Sequence, residues 1–420
     1  MNIGFVSTRL AGTDGVSLET RKIASILRGM GHETFFCAGE LDPDLPGRLA
    51  PTMHFTHPKI VAVQEIAFST TVATADFQRR VAGLATELMH ELAQFCQDYA
   101  IDLLVPQNAL TIPMNIPLGM ALTDFIAKTD MPTLAHHHDF YWERERFARN
   151  CVGTILEQAF PPNLPSIRHM VINSPAQGDL KARRGIDSVV MPNIFEFERA
   201  APGITPSSRT LRAALDLTDE HLLILQPTRV VARKGIELAI ELVARLQQPQ
   251  HRDALLGKQP VLVITHHAGD EGRSYLESLQ AQAETAGVDL RYVGPQFAPE
   301  ADPERGIFSL WDAYAHADFV TYPSLYEGFG NALVEAIYFR LPVLVNRYSV
   351  YHADIRPKGF DFVEIDGAIT DEAVDGVIRA MMDPVVRRRM VEHNYEVAKR
   401  HFSYTAVQPI LADLLADLVA

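Results

Sequence analysis

The chain has 420 residues, 47% apolar and 21% charged, a globular composition that excludes a largely disordered chain and a fibrous repeat. Its length predicts two or three domains. With 52 acidic against 38 basic side chains its net charge is −14, which argues against nonspecific nucleic-acid binding and against retention on anionic lipid by charge alone.

The chain opens as strand, glycine loop, helix, strand. Ile3 to Ser7 is a short apolar run bounded by Ala11-Gly12-Thr13-Asp14-Gly15. Ile23, Ile26, Leu27 and Met30 then recur at helical spacing, and Thr34 to Cys37 begins the next strand. Such alternation predicts parallel β-α units. Leu84, Leu88, Leu92 and Phe95 predict a helix. Ile101–Val105, Pro132–Ala135, His169–Ile172 and Val189–Met191 predict further strands. Residues 201–210, rich in Pro, Ser and Thr, are the best linker candidate. A second series follows, with strands at Leu222–Leu225, Val261–Ile264, Leu290–Val293, Phe319–Tyr322 and Val343–Val345. The C-terminus carries an apolar stripe of Val407, Ile410, Leu411, Leu414, Leu415 and Leu418 on one helix. The expectation is two doubly wound α/β domains, 1–195 and 196–420. Ligands of such sheets bind at the carboxyl ends of the strands.

The three cysteines, Cys37, Cys96 and Cys151, form neither a Cys-x-x-Cys pair nor an even set, so no disulfide framework or zinc ribbon is expected. The N-terminus lacks the basic region and cleavage site of a signal peptide, and no apolar stretch is long enough to span a bilayer. A soluble cytoplasmic protein is the expectation.

Two motifs in the second half carry chemistry. Thr228-Arg229-Val230-Val231-Ala232-Arg233-Lys234-Gly235 joins the opening strand to its helix. Arg229 and Lys234 there suit a diphosphate, with a planar fork, a compact charge and a helix end acting together; two solvated basic residues on a loop is the competing reading. Ser324-Leu325-Tyr326-Glu327-Gly328-Phe329-Gly330-Asn331 also leads from a strand into a helix. Its glycines allow close backbone approach at the helix start, a ready anion site. Glu327 could accept hydrogen bonds from sugar hydroxyls. Glu335, among Leu333, Val334 and Ala336, needs a partner, and ribose hydroxyls are one.

At these residues the chain resembles the retaining glycosyltransferases of family 4. The resemblance rests on Arg229-x4-Lys234 and Glu327-x7-Glu335, with Gly12-Thr13-Asp14-Gly15 after the first strand and Pro192-Asn193 at the domain exit. It covers nearly the whole chain in order. It implies the GT-B fold: two Rossmann-like domains facing across a cleft, the last helix, about 403–420, crossing back to the N-terminal domain. It implies an N-terminal acceptor-binding domain and a C-terminal donor-binding domain. Arg229 and Lys234 would hold the donor diphosphate. Glu327, with Gly328, Phe329, Gly330 and Asn331, would contact the transferred hexose or phosphate. Glu335 would bind ribose, Val293 and Gly294 would lie by the base, and Gly15 would let the first loop approach the phosphate.

Ala135-His136-His137-His138-Asp139-Phe140-Tyr141-Trp142 suggests a metal site. Consecutive strand residues alternate faces, however, so three in a row chelate one ion poorly, and no metal is expected. The resemblance implies a histidine that touches the donor sugar and the acceptor. His138 matches best and His136 is the alternate, with Asp14, Asp139, Tyr141 and Trp142 as further acceptor contacts. Tyr141 and Trp142 could equally be core. Asp42-Pro43-Asp44 reads as a turn rather than a metal motif, and Glu143 to Arg146 as a solvated helix face. Thr265-His266-His267 departs from the glycine-rich turn of many relatives.

The function expected is transfer of a hexose from a nucleotide-diphosphate sugar to a hydroxyl, with retention and without a metal or other cofactor. UDP is favoured over GDP and glucose over mannose. The N-terminal half is slightly acidic, which favours a small soluble sugar or polyol-type acceptor over a lipid-linked or cell-envelope glycan. A sugar-nucleotide 2-epimerase and a noncatalytic sugar-nucleotide-binding protein are the rivals. The partners are nucleotide sugar and acceptor, with no nucleic acid and no integral membrane segment; a homo-oligomer stays open.

Overall fold

The computed structural model describes residues 1–12, 14–268 and 273–419. It divides into two compact units, one of Met1–Ile194 with Tyr404–Ala420, the other of Phe195–Ser403. Thr13 of the first loop lies outside the described residues.

The N-terminal unit holds a seven-stranded sheet of β1 (Asn2–Ser7), β2 (Glu33–Ala38), β3 (Gly47–Leu49), β4 (Leu103–Pro106), β5 (Thr133–His137), β6 (Ile167–Val171) and β7 (Ser188–Val190). Its order is β3-β2-β1-β4-β5-β6-β7, with every neighbouring pair parallel. Strands covered on both faces read as continuous apolar runs, which is why these were visible in the sequence. Alternation divides the side chains between two cores. Ile3 and Phe5 of β1 and Leu103 and Val105 of β4 pack on the helix Gly15–Gly29 and the C-terminal helix Tyr404–Val419. Val6 and Leu104 pack on the helices Ala75–Asp98 and Ile116–Thr129. The C-terminal stripe is thus part of the N-terminal unit, with Val407, Leu411, Leu414 and Leu415 buried there.

The helix Gly15–Gly29 also buries a charge. Glu19 is 1% exposed, pairs with Lys22 at 2.6 Å and accepts the Ile194 N–H at 3.1 Å. Lys22 donates to the Ile194 carbonyl at 2.7 Å. The residue at which the chain leaves this unit is therefore bonded through both backbone groups to one helix.

The second unit carries β8 (His221–Gln226), β9 (Gln259–Ile264), β10 (Leu290–Tyr292), β13 (Phe319–Tyr322), β14 (Val343–Asn346) and β15 (Val363–Ile365), ordered β10-β9-β8-β13-β14-β15 and parallel throughout. The short β11 (Phe297–Ala298) and β12 (Phe308–Ser309) pair separately. Strand order reverses between β1 and β4 in one unit and between β8 and β13 in the other. The crevice outside such a reversal is where doubly wound sheets take ligands.

One sequence expectation is corrected. Residues 201–210 are no free linker, because the units part at Ile194 and this stretch packs within the second unit. Ser208 is fully buried, closes a turn with Thr205, and its carbonyl accepts the His316 Nε2–H at 2.9 Å. Pro, Ser and Thr mark turn chemistry there rather than slack. Among the described residues, no helix is long and apolar enough to cross a membrane.

Leu411→Ala is expected to destabilise the N-terminal unit by about 2–5 kcal/mol through the cavity it leaves. Urea unfolding followed by Trp142 fluorescence, in a Trp311→Phe background, reads this directly; an unshifted midpoint contradicts the placement of the last helix.

Candidate active site

The end of the second sheet is stitched before it is charged. Register sets Val320 beside Leu225, so Thr321 stands beside Gln226. The Thr321 hydroxyl donates to Gln226 Oε1 at 2.7 Å, and Gln226 Nε2 donates to Thr228 Oγ1 at 2.8 Å, all buried. Beyond β8 the chain makes a tight turn, Ala232–Lys234, that ends at Gly235. Gly235 has φ +59°, and a Cβ there would sit 2.5 Å from the Pro323 carbonyl oxygen, so only glycine fits. The Leu325 N–H then donates to the Arg233 carbonyl at 2.8 Å, joining the loop after β8 to the loop after β13.

Between these loops lies a three-membered ion cluster. Lys234 Nζ and one Glu327 carboxylate oxygen are hydrogen-bonded, and Arg233 Nη1 reaches the other oxygen at 3.1 Å. Lys234 and Glu327 are 8% and 7% exposed. Burial is the largest influence on Glu327 and favours its neutral form, yet the charges and hydrogen bonds of Lys234 and Arg233 together hold its carboxyl below the usual range. Burial is also the first influence on Lys234 and lowers its ammonium despite Glu327. Burial, then the Glu327 charge, drives the neighbouring Tyr322 hydroxyl well upward. Removing one member of such a buried pair costs about 3–5 kcal/mol, because the other charge is left uncompensated.

This changes the reading of the motif. Arg229 lies exposed on the loop, and Arg233 is the arginine on the glutamate. Glu327 is not at an open loop edge; both of its oxygens carry cations. The local excess is one positive charge inside an acidic chain.

The helix Asn331–Tyr338 starts at Gly330, whose φ is +129° and whose Cβ would meet the Tyr348 hydroxyl at 2.6 Å. That hydroxyl donates to the Phe329 carbonyl at 2.6 Å and fixes the glycine turn. Phe329 is buried, its ring edge-on to Phe402, while Gly328 and Asn331 are half-buried. Glu335 is half-buried, and the protein itself supplies a partner, the Tyr314 hydroxyl at 2.8 Å. Val293 and Gly294 follow β10; a Cβ on Gly294 would lie 2.9 Å from the His266 carbonyl oxygen. His266, at the end of β9, is pushed down to about 4 by burial and by the nearby Lys234 and Arg229.

Gly15, Asp14, His136, His138, Asp139, Tyr141 and Trp142 belong to the N-terminal unit. Asp14 caps the helix Gly15–Gly29, accepting from the Val16 and Ser17 amides at 3.1 and 3.2 Å, and Gly15 is that helix's first residue. The histidine run alternates as a strand must. His136 and His138 share one face, and Gln107 Oε1 accepts from His136 Nδ1 at 3.0 Å and His138 Nε2 at 3.2 Å. His137 turns to the other face, bonded to Thr111 and, at 2.8 Å, to His169 Nδ1. Among the described residues, no three His, Cys, Asp or Glu side chains are grouped to hold a metal ion. Asp139 is taken up by Asn108 Nδ2 at 2.8 Å and by Arg144. Residues 141–147 form two tight turns rather than a helix. Trp142 stacks on Phe140 (centroids 4.4 Å apart), donates Nε1–H to Asp179 at 2.5 Å and meets the half-buried Tyr141 edge-on. Asp42 and Asp44 form a turn held by Arg21, at 2.7 and 2.8 Å.

Arg233, Tyr314, Gln107 and Asn108 bond to the candidate site residues, and sequence reasoning missed them. Only Arg233 left a signal, as a second cation beside Lys234.

Residues 207–397 match the family model for Glycosyl transferases group 1. Over 98% of its length the chain is 34% identical to mannosylglucosylglycerate synthase of Thermotoga maritima, covering 99% of that protein. The chain belongs to the group 1 glycosyltransferases. A second relative of the same name, from Petrotoga mobilis, is 32% identical over 93% of this chain and 92% of its own. The crystal structure of a glycosyltransferase from Rickettsia africae ESF-5 superposes with a TM-score of 0.69 at 13% identity, over 100% of this chain and 98% of that one. This group 1 glycosyltransferase therefore has the GT-B fold and is a hexosyltransferase.

Burial pushes His138 and His169 down to about 4, and His136 and His137 well below their ordinary value. Unfolded, each titrates near 6.5. Between those values the unfolded chain binds more protons, so stability is full above pH 6.5 and falls with acidification. The expected loss is up to about 1.4 kcal/mol per pH unit for each histidine. Urea midpoints at pH 7, 6 and 5 measure it, and a flat series refutes neutral buried histidines.

Proposed function

We propose that this enzyme transfers a mannosyl group from a nucleotide-diphosphate sugar to a hydroxyl of a glucosylated glycerate, with retention of anomeric configuration. The observation that carries this reading is the near-full-length similarity to two proteins named mannosylglucosylglycerate synthase. Their product's name begins with the mannosyl unit. Mannose thus replaces glucose as the hexose we favour, and the acceptor falls in the small, soluble polyol-type class. UDP remains the base favoured from the sequence, with GDP as its competitor.

In this reading the donor diphosphate lies at the end of β8, where Lys234 and Arg229 meet negative charge as the glycosidic bond breaks. Glu327 holds Lys234 and Arg233 in place from behind. Such a clamp needs no metal ion, because fixed cations and a helix start neutralise the leaving group. Glu335, oriented by the Tyr314 hydroxyl, binds the ribose, and Val293 with Gly294 borders the base. No side chain stands out as a covalent nucleophile, which suits a same-face displacement in which a donor phosphate oxygen takes the acceptor proton. His138, neutral at pH 7, offers an uncharged imidazole to sugar hydroxyls.

The test is product formation from GDP-mannose, UDP-mannose and UDP-glucose with glucosylglycerate, followed by anomeric proton NMR. Mannosyl transfer with retained configuration is expected. Absence of transfer to glucosylglycerate from every donor overturns the reading. Lys234→Ala is expected to lower kcat by about 100- to 1000-fold, the range seen when one transition-state donor is lost. Wild-type turnover in that variant removes the diphosphate clamp.

A further inference from the structure

The strand-order reversal in the N-terminal unit has its own cavity, of about 90 Å3, between the loops after β1 and β4. Ser7, Arg9, Asp14, Phe55, Gln107 and Asn108 line it. Among the described residues, two of these side chains carry N–H groups with nothing to bond. Arg9 is held along one edge, with Nη2 3.1 Å from Asp14 Oδ2 and the guanidinium 5.7 Å from the Phe55 ring centroid. Its Nε is buried and has no hydrogen-bond partner. Gln107 is 0% exposed. Its Oε1 accepts from the His136 and His138 imidazoles, and its Nε2 is buried with no partner among the described residues. Native proteins rarely leave such donors unpaired, and each unpaired donor is a place where a ligand acceptor atom gains most.

The chemistry of that ligand follows from the lining. Two orphan donors, one cationic, call for an acceptor atom pair with negative charge. Asp14 stands beside Arg9, so the pair is neutral before anything binds; a carboxylate adds one negative charge against the two free N–H groups, while a phosphate dianion adds two and is the worse fit. The volume is about three times the roughly 30 Å3 that one water occupies in the liquid, enough for a carboxylate and its neighbouring hydroxyl carbon. Asn108, which also binds Asp139, lines the cavity, and His138 is bonded to the lining residue Gln107.

We propose that this cavity anchors the acceptor through its carboxylate, with Arg9 and Gln107 as the residues that select the acid end. The inference rests on the acceptor class proposed above and adds where and how that acceptor is recognised. Asp14 acts here as a positioning residue, since its second oxygen accepts from Ser17 and orients Arg9.

Calorimetric titration of the full chain with D-glycerate, glycerol and glycerol 3-phosphate tests the anchor without any turnover. Wild type is expected to bind D-glycerate, and Arg9→Gln to weaken it about 100-fold, with Arg9→Lys recovering part of the loss. In steady state, Arg9→Gln is expected to raise KM for glucosylglycerate by a similar factor. KM for the donor, and for glucosylglycerol as a neutral acceptor, is expected to stay unchanged. Unaltered thermal unfolding of Arg9→Gln shows that the loss is not misfolding, and Arg9→Lys provides the readout if that variant fails to fold. Equal D-glycerate binding by wild type and Arg9→Gln, or preference for glycerol or glycerol 3-phosphate, overturns the anchor. If D-glycerate binds through Arg9 but glucosylglycerate accepts no sugar, the acceptor named under Proposed function is wrong and the anchor stands.

Discussion

A single buried carboxylate organises the end of the second sheet, where the donor is proposed to bind. Glu327 holds Lys234 and Arg233 at once, and through them it joins the loop after β8 to the loop after β13 at the reversal of strand order. Everything nearby serves that arrangement. Gly235 lets the first loop turn against the Pro323 carbonyl, and Tyr348 clamps the glycine turn that leads into the next helix. Because two cations share one anion, the cluster keeps a net positive charge without exposing a basic surface. That reconciles a chain of net charge −14 with an anionic ligand.

The other unit solves a different problem with the same topology. Its reversal point is lined by the Gln107 and Asn108 amides and one balanced Arg9–Asp14 pair, with the His136 and His138 imidazoles bonded to Gln107. Burial keeps His136 and His138 uncharged, and both imidazoles bond to the one Gln107 side chain. Neutral donors and acceptors discriminate hydroxyl patterns, whereas mobile charges would bind any polar group. One sheet end is built for charge and the other for hydrogen-bond direction.

Much of this was legible because parallel strands buried on both faces announce themselves as apolar runs. Phe319–Tyr322 is the same in sequence and structure, and most other strand ends move by one or two residues. β3, β15 and the pair β11–β12 escaped, being two or three residues long with no apolar run. Arg229, Lys234, Glu327 and Glu335 were readable as a spaced set, but their partnerships were not. Arg233 sits on Glu327 because a tight turn places residues 233 and 234 side by side, and spacing cannot reveal that. Tyr314 lies 21 residues from Glu335 on a separate helix, and Gln107 lies 29 from His136. Such contacts exist only once the sheet has set its register. Residues 201–210 misled for the opposite reason: turn residues resemble a linker until one of them, Ser208, is seen buried against the rest of the unit.

The tie between Ile194 and the helix Gly15–Gly29, together with the seat of Tyr404–Val419 on that helix, has a consequence for how the chain is made. The second unit, Phe195–Ser403, is contiguous and has all of its strands once residue 403 has been synthesised. The N-terminal unit is not finished at that moment. The face formed by Ile23, Ala24, Ile26 and Leu27 stays uncovered until Val407, Leu411, Leu414 and Leu415 arrive. Synthesis therefore completes the later half first, and the earlier half spends the intervening 209 residues with an open apolar seam. During that interval the buried Glu19–Lys22 bonds to Ile194 join the Arg21 bonds to Asp42 and Asp44 as polar contacts that hold the helix in place while its hydrophobic cover is still missing.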